Sequence, residues 1–176
     1  MRPRDIAELA RRLQSGVQAA GLERPPAARA PAPDDLVSLY DALISSDPLR
    51  SATRKLFVDG HYAEAVEEAY KCVNNTVKQK SGLPNDGHDL MQQAFNEKHP
   101  VLKLNALRTD SHRDEQVGYR FIFAGCMSGI RNPRAHGHDL RDDPRAALEM
   151  LVWANHLMRV VDRATRVRRR KSASSP

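Results

Sequence analysis

The spacing of apolar residues indicates helices along most of the chain. Several stretches place apolar residues three and four positions apart, which is the repeat of an amphipathic helix. The longest runs from Tyr62 to about Gln79 and carries a bundle-type stripe of Tyr62, Val66, Ala69, Val73 and Val77. No stretch shows the sustained alternation that is typical of a strand. The pattern therefore predicts an all-α fold, a helical bundle of four to five core helices with an extra N-terminal helical segment.

A run rich in proline and alanine separates the first predicted helix from the rest. Residues 1–21 form an amphipathic helix, and residues 22–34 contain ERPPAARAPAP, which is typical of a semi-rigid extended linker. Residues 35–165 form the main helical domain, and residues 166–176 form a basic disordered tail. The first helix is therefore expected to lie apart from the main body or to be exchanged with a partner chain.

Start and stop signals divide the main domain. Pro48 marks an early helical position, Asp59 and Gly60 mark a turn, and Asp142, Asp143 and Pro144 mark the start of a last helix. That helix is expected to reach about Thr165, and its two apolar stripes suit a central helix or one shared between subunits. Residues 101–111 are apolar but match neither a helix nor a strand pattern.

The net charge of +6 comes from the C-terminal tail. Residues 163–176 contain six Lys or Arg and no acid, so the remaining 22 basic residues balance the 22 acidic ones. Such a tail can bind phosphate backbones through counterion release. A solvated, frayed helix end explains the same composition, so the charge does not decide the partner.

Composition also narrows the cellular setting. No apolar run approaches the roughly 20 residues that a membrane helix needs, and the N-terminus has no apolar signal core. The sequence therefore predicts a cytoplasmic protein without a membrane partner. Cys72 and Cys126 lie in separate apolar helical patterns without metal-type spacing to histidine, so we expect buried thiols, no metal site and no cofactor.

The segment from Asp114 to His138 carries the candidate chemistry. Its first part is predicted to be an amphipathic helix with Val117, Phe121, Ala124 and Met127 on its buried face. Pro133 lacks a backbone donor and disfavours helical geometry at the residue before it, so the helix is expected to kink or stop at Asn132.

Three glycines interrupt this helical pattern. Gly118, Gly125 and Gly129 each cost roughly 1 kcal/mol relative to alanine inside a helix, so they need a reason. One explanation is close packing by another helix of the same chain, which we favour, and the other is a seam between two subunits.

Polar residues crowd the end of this helix. Arg131, Asn132, Arg134, His136 and His138 fall within eight positions. An Arg with a His five residues later is expected about once by chance in a chain this rich in both. Ordinary structural roles would explain the same residues: an ion pair for Arg131, a helix cap for His136 and a solvated loop position for His138.

The ordered sequence blocks of this region resemble a known family. The Arg-Asn-xxx-His arrangement RNPRAH at the end of a penultimate helix resembles the HEPN superfamily of α-helical proteins. LFVDGHYAEAVEEAYKCVNNTVKQKSGL, DGHDLMQQAF and FIFAGCMSGIRNPRAHGH resemble its Ymh-like branch, which is associated with phage defence and abortive infection. The resemblance covers about residues 48–165.

The resemblance implies a metal-independent endoribonuclease whose site forms between two subunits. It assigns acid-base catalysis to His136, phosphate and transition-state stabilisation to Arg131 and an orienting role to Asn132, with Arg134 and His138 as RNA contacts. An imidazole and a guanidinium suit these roles. The implied partners are RNA, a second copy of the chain, and an antitoxin or another protein of a defence system.

Two other functions fit the same sequence. A catalytically silent HEPN module would bind nucleotide or RNA, or scaffold a defence complex. A DNA-binding accessory protein would act through the basic tail, although no recognition-helix motif stands out.

Overall fold

The computed structural model describes residues 33–137 and 142–167, together with Glu8, Arg11, Arg12 and Ser15. The chain divides into two compact units, Met1–Ala32 and Pro33–Pro176. In the first unit the four described residues are helical, and the Ser15 hydroxyl donates a hydrogen bond to the Arg11 carbonyl at 3.0 Å. The other residues of the predicted N-terminal helix lie outside the described residues, as does the linker up to Ala32.

The described part of the second unit is helical, which confirms the all-α prediction. Its elements are α1 Pro33–Leu43, α2 Asp47–Val58, α3 Tyr62–Ser81, α4 Gly87–Ala94, β1 Leu102–Lys103, α5 Asp110–Cys126, a π-helical turn Met127–Arg131, α6 Asn132–His136, α7 Pro144–Arg163 and β2 Thr165–Arg166. None of the helices in the described part is both long and apolar enough to cross a membrane.

Helix α3 lies at the centre of this unit. It packs against α2, α4, α6, α7 and the π turn. Val66, Ala69, Val73 and Val77 of its predicted stripe are fully buried. The stripe was predicted from spacing alone, and its burial confirms that this face of α3 forms the core.

Helix α7 begins and ends through specific polar contacts. The Asp143 carboxylate accepts hydrogen bonds from the backbone N–H groups of Arg145 at 2.9 Å and Ala146 at 3.2 Å, which confirms the predicted start. At the other end the Lys80 ammonium donates to the carbonyls of Val161 and Asp162, both at 2.6 Å. A cation at this end also opposes the negative end of the helix dipole.

The middle of α7 holds the turn between α1 and α2. The buried Asn155 accepts hydrogen bonds from the backbone N–H groups of Ser45 and Ser46 and donates to the Leu43 carbonyl at 3.1 Å. The amide therefore gives hydrogen-bond partners to the backbone groups of this turn.

The last helix is shorter than the sequence predicts. Ala164 leaves helical geometry, and Thr165 and Arg166 pair with Lys103 and Leu102 in an antiparallel ribbon. Residues 101–111, which the sequence left unassigned, supply the partner strand. Arg166, expected in the tail, lies in this ribbon, and residues 168–176 fall outside the described residues.

Candidate functional site

The predicted site lies where α5 passes into α6 through the π turn. Asn132 has helical dihedral angles, φ −60° and ψ −43°, so the expectation that proline would move it out of helical geometry is wrong. The chain instead widens from α to π geometry over Met127–Arg131 and continues as α6 to His136. The proline therefore begins a new helical turn and does not end the helix.

The π turn explains how Pro133 is tolerated. A proline ring inside an α-helix clashes with the carbonyl four residues earlier, which here belongs to Gly129. The Asn132 N–H bonds to the Met127 carbonyl, five residues back, so the backbone register shifts just before the proline. Single π turns inside α-helices occur frequently at functional sites.

Arg131 and Asn132 lie at the end of the π turn and contact each other. The Arg131 Nη1 donates a long hydrogen bond of 3.5 Å to the Asn132 Oδ1. Both residues are half-buried, and the Arg131 Nε is buried without a hydrogen-bond partner in the described structure. The guanidinium thus has donors that no described residue uses.

A polar cluster from α3 and the start of α4 lies near Arg131. The Asp86 carboxylate accepts hydrogen bonds from the Lys78 ammonium at 2.7 Å and the Asn74 amide at 2.6 Å. These bonds hold the pKa of Asp86 below its ordinary value, and the charge of Arg131 contributes in the same direction. Asp86 therefore offsets part of the positive charge around Arg131.

The sequence pattern does not indicate that this cluster belongs to the site. The available signal was Asn74, a polar residue in the middle of a buried helix, which is uncommon unless its amide is bonded. Asn74 is 3% exposed, and its Oδ1 accepts from the Gly87 N–H at 2.9 Å. Asn74 thereby holds the start of α4 beside Arg131.

Arg134 forms an ion pair with Asp142, a residue that the sequence indicated only as part of the start of the last helix. Its Nε and Nη2 donate to the Asp142 carboxylate at 2.6 Å and 2.7 Å, and its Nη1 donates to the Ile130 carbonyl at 2.8 Å. Both side chains of the ion pair are 10% exposed. Arg134 thus forms a largely enclosed bidentate ion pair with Asp142, two residues before the start of α7.

His136 occupies the last position of α6 and is exposed. Its imidazole forms no hydrogen bond or ion pair with another residue of the described ranges. An α-helix turns about 100° per residue, so residues five apart are separated by about 140° around the axis. Arg131 and His136 therefore do not share one face of the helix, and His138 lies outside the described residues.

The glycine positions are open to solvent. Among the described residues, a Cβ atom built at Gly118, Gly125 or Gly129 would meet nothing within 4 Å, so the preferred explanation, close packing by another helix, is wrong for the described helices. Phe121 lies between them in sequence and is 57% exposed, so its predicted place on the buried face of the helix is wrong. We call Gly118, Phe121, Gly125 and Gly129 the open face of α5.

A polar aromatic contact joins α5 to α7. The Tyr119 hydroxyl lies 2.8 Å from the His156 Nε2, and the His156 ring stacks on Trp153 with centroids 5.2 Å apart. Trp153 is 40% exposed. An exposed aromatic therefore lies on α7 as well as on α5.

Two further findings concern ligands. The residues that the structure describes contain no group of three His, Cys, Asp or Glu side chains placed to hold a metal ion. They line an open pocket of about 910 Å³ between the end of α3, α4 and the strand pair, with Gln93, His99 and Arg166 in its lining. Arg131, Asn132 and His136 do not line it.

The two cysteines are free thiols, Cys126 buried and Cys72 partly buried. Burial raises the pKa of both thiols, so they remain protonated at neutral pH. Neither has the lowered pKa of a nucleophilic cysteine.

The fold and the site define a helical-bundle domain with an Arg-Asn pair and an exposed His at the end of one interrupted helix. The chain belongs to the Hypoth_Ymh family, described as a protein of unknown function, whose model matches residues 47–161. The match begins at the start of α2 and ends within α7. The comparisons with curated proteins and with solved structures found no match.

Proposed function

We propose that the protein is a metal-independent endoribonuclease of the HEPN type that acts as a homodimer in defence or toxin-type growth arrest. The observation that carries the proposal is the exposed His136 on the helical turn that directly follows Arg131 and Asn132. An accessible imidazole and a guanidinium with free donors are the groups that metal-free RNA cleavage needs.

His136 is the proposed acid or base. An imidazole titrates near neutrality and so can accept the proton of a ribose 2′-hydroxyl or give one to the leaving 5′-oxygen. The 2′-oxygen attacks the adjacent phosphorus as the bond to the 5′-oxygen breaks. The products are a 2′,3′-cyclic phosphate and a 5′-hydroxyl.

Arg131 is the proposed phosphate ligand. Its guanidinium is permanently charged, and its fork of donors matches two phosphate oxygens as negative charge builds on them. The long hydrogen bond between Arg131 and Asn132 supports an orienting role for the amide. The Asp86 carboxylate, which is paired with Lys78, then offsets part of the positive charge around Arg131.

A second copy of the chain completes the proposed site. Because Arg131 and His136 lie about 140° apart around the helix axis, one chain does not present both to a single phosphate from one face. In a dimer whose two chains meet along the open face of α5, the Arg131 and His136 side chains of both chains would lie in one groove.

A catalytically silent module that binds nucleotide or RNA is the second candidate. It is favoured by one observation: His136 has no orienting hydrogen bond with any residue in the described ranges, whereas a catalytic histidine is usually oriented by a partner at its other ring nitrogen. Turnover separates the two functions, since both predict binding.

The deciding experiment incubates the purified protein with total RNA and identifies the product ends. We expect 2′,3′-cyclic phosphate and 5′-hydroxyl ends, with cleavage undiminished by a chelator. His136→Ala and Arg131→Ala should each lower cleavage by about 100-fold or more, because each removes a group that acts in the transition state.

Matched variants control for charge and folding. His99→Ala and Arg108→Ala replace an exposed histidine and an exposed arginine elsewhere and should leave cleavage unchanged. Full cleavage by either site variant, or a strict requirement for a divalent metal, would contradict the mechanism. Binding of RNA without any cleavage by the unmodified protein would support the silent module.

A further inference from the structure

The Arg134–Asp142 ion pair is more enclosed than the other ion pairs of the described ranges. Both side chains are 10% exposed, against 15% and 22% for Arg120 and Glu97, the next most enclosed pair. Its two parallel bonds of 2.6 Å and 2.7 Å have the bidentate geometry in which a guanidinium and a carboxylate bind most strongly.

This pair joins three parts of the site. Arg134 belongs to α6 and also donates to the Ile130 carbonyl in the π turn. Asp142 directly precedes Asp143, the residue that caps α7. One guanidinium therefore connects the π turn, α6 and the approach to α7.

Helix α6 needs such an external tie. It has five residues, and a helix this short is not stable on its own. Pro133 also removes one backbone donor from it. Its orientation therefore depends on the π turn that it continues, on its packing against α3 and on side-chain contacts, among which the Arg134–Asp142 pair is the most enclosed ion pair of the described ranges.

We infer that Arg134 and Asp142 are positioning residues that hold α6, and with it His136, in the orientation that RNA cleavage requires. The inference rests on the proposed function, and it replaces the RNA contact expected of Arg134. Three of the five N–H groups of the guanidinium are already used within the protein. A phosphate would have to displace Asp142 from a largely enclosed site.

The test compares three variants: Arg134→Met, Asp142→Asn, and the double variant Arg134→Met with Asp142→Leu. Removing one partner leaves the other unpaired in an enclosed site, whereas apolar replacement of both is often tolerated. The measurements are kcat and KM for RNA cleavage, and hydrogen exchange of the α6 amides.

For a positioning pair, each single variant should lower kcat by about 10- to 100-fold with KM unchanged, because a displaced catalytic group costs rate more than binding. The α6 amides should exchange faster in both single variants. The double variant should recover most of kcat and of the protection, although it has lost the positive charge.

An RNA-binding Arg134 predicts different results. Asp142→Asn would bind RNA as tightly as the unmodified protein or more tightly, and the double variant would stay as impaired as Arg134→Met, with a raised KM. Either result overturns the inference.

Asn155→Ala is the structural control. It removes the buried amide that holds the α1–α2 turn, away from α6, so it should lower the melting temperature without changing kcat or α6 exchange.

The exchange measurement also separates the two proposals. If the unmodified protein cleaves no RNA, the proposed function fails, but unchanged α6 exchange in the single variants is what overturns the positioning role.

Discussion

Asp86 links the chemistry of Arg131 to the packing of α3 and α4. Its carboxylate accepts from Lys78 and Asn74, and both hydrogen bonds lower its pKa. Because the folded pKa lies below the ordinary value of 3.8, the ionised form stabilises the native state. This contribution is present above the ordinary pKa and is lost as the pH falls through the folded value.

Asp86→Asn should therefore destabilise the protein more at neutral pH than in acid. An asparagine amide can still accept a hydrogen bond from Lys78 but carries no negative charge, so the ion pair is lost and the difference in unfolding free energy from the unmodified protein should be largest at pH 7. It should shrink as the pH falls below 3.8. Urea unfolding at a series of pH values measures it.

Asp89→Asn provides the comparison for this pH series. Asp89 lies in the first turn of α4, three residues after Asp86, but its side chain is 82% exposed and its one ion pair in the described ranges is with His88. The same pH series should show a smaller difference. Equal differences at pH 7 and pH 3 for Asp86→Asn would contradict the account.

At the residue scale, the sequence indicated only candidates whose residues lie close together along the chain, and their roles stay predictions. Arg131, Asn132 and His136 were predicted from one short motif, and the structure gives Arg131 and Asn132 a direct contact. Asp86 and Asp142 were not assigned to the site. Their partners, Lys78 and Arg134, each lie eight residues earlier in the chain, and only the folded loop between them brings each pair together.

At the scale of elements, the interrupted helix from α5 through the π turn to α6 contains both glycine and proline. Glycine and proline both disfavour helix. Pro133 is accommodated by the π turn, while Gly118 and Gly125 lie in regular helix with open space beside them. Glycine in α5 therefore stabilises no contact within the described chain.

Gly125→Ala should stabilise the isolated subunit. A Cβ at this position meets nothing within 4 Å, and alanine reduces the entropy that the backbone loses on folding. The expected gain in unfolding free energy is about 0.5–1 kcal/mol, measured by urea unfolding under conditions that keep the protein monomeric.

Gly82→Ala is the matched contrast. Gly82 ends α3 with φ +70°, and a Cβ there would lie 2.6 Å from the Arg166 Nη2, so alanine should destabilise the protein. A loss of stability in Gly125→Ala would show that its helix face is in contact after all.

At the scale of the whole molecule, the open face of α5 is the surface on which the proposed dimer depends. Phe121 projects among three glycines, and small residues let two helices approach closely. The Arg120 guanidinium lies 4.8 Å from the centre of the Phe121 ring, which leaves the ring's far side to a partner.

Phe121→Glu should therefore convert a dimer into a monomer. A carboxylate at the centre of the seam would face its own copy across a symmetric interface, and two like charges in a desolvated contact are costly. Analytical ultracentrifugation reports the mass, and RNA cleavage should fall with it because the site needs both chains.

Leu39→Glu controls for the loss of an exposed apolar side chain. Leu39 lies on α1 and is 44% exposed, so its replacement should leave both mass and cleavage unchanged. An unmodified protein that is monomeric at the concentrations used for cleavage would contradict the intersubunit site.

Periodicity in the sequence determined the all-α class, the buried stripe of α3 and the start of α7, because these depend on residues close together along the chain. The Arg-Asn/His motif was readable for the same reason. Tertiary structure alone decided the π turn before Pro133, the pairing of Arg134 with Asp142, the cluster around Asp86 and the open glycines. Each depends on which backbone groups and charges folding brings together, and apolar spacing carries no information about those distances.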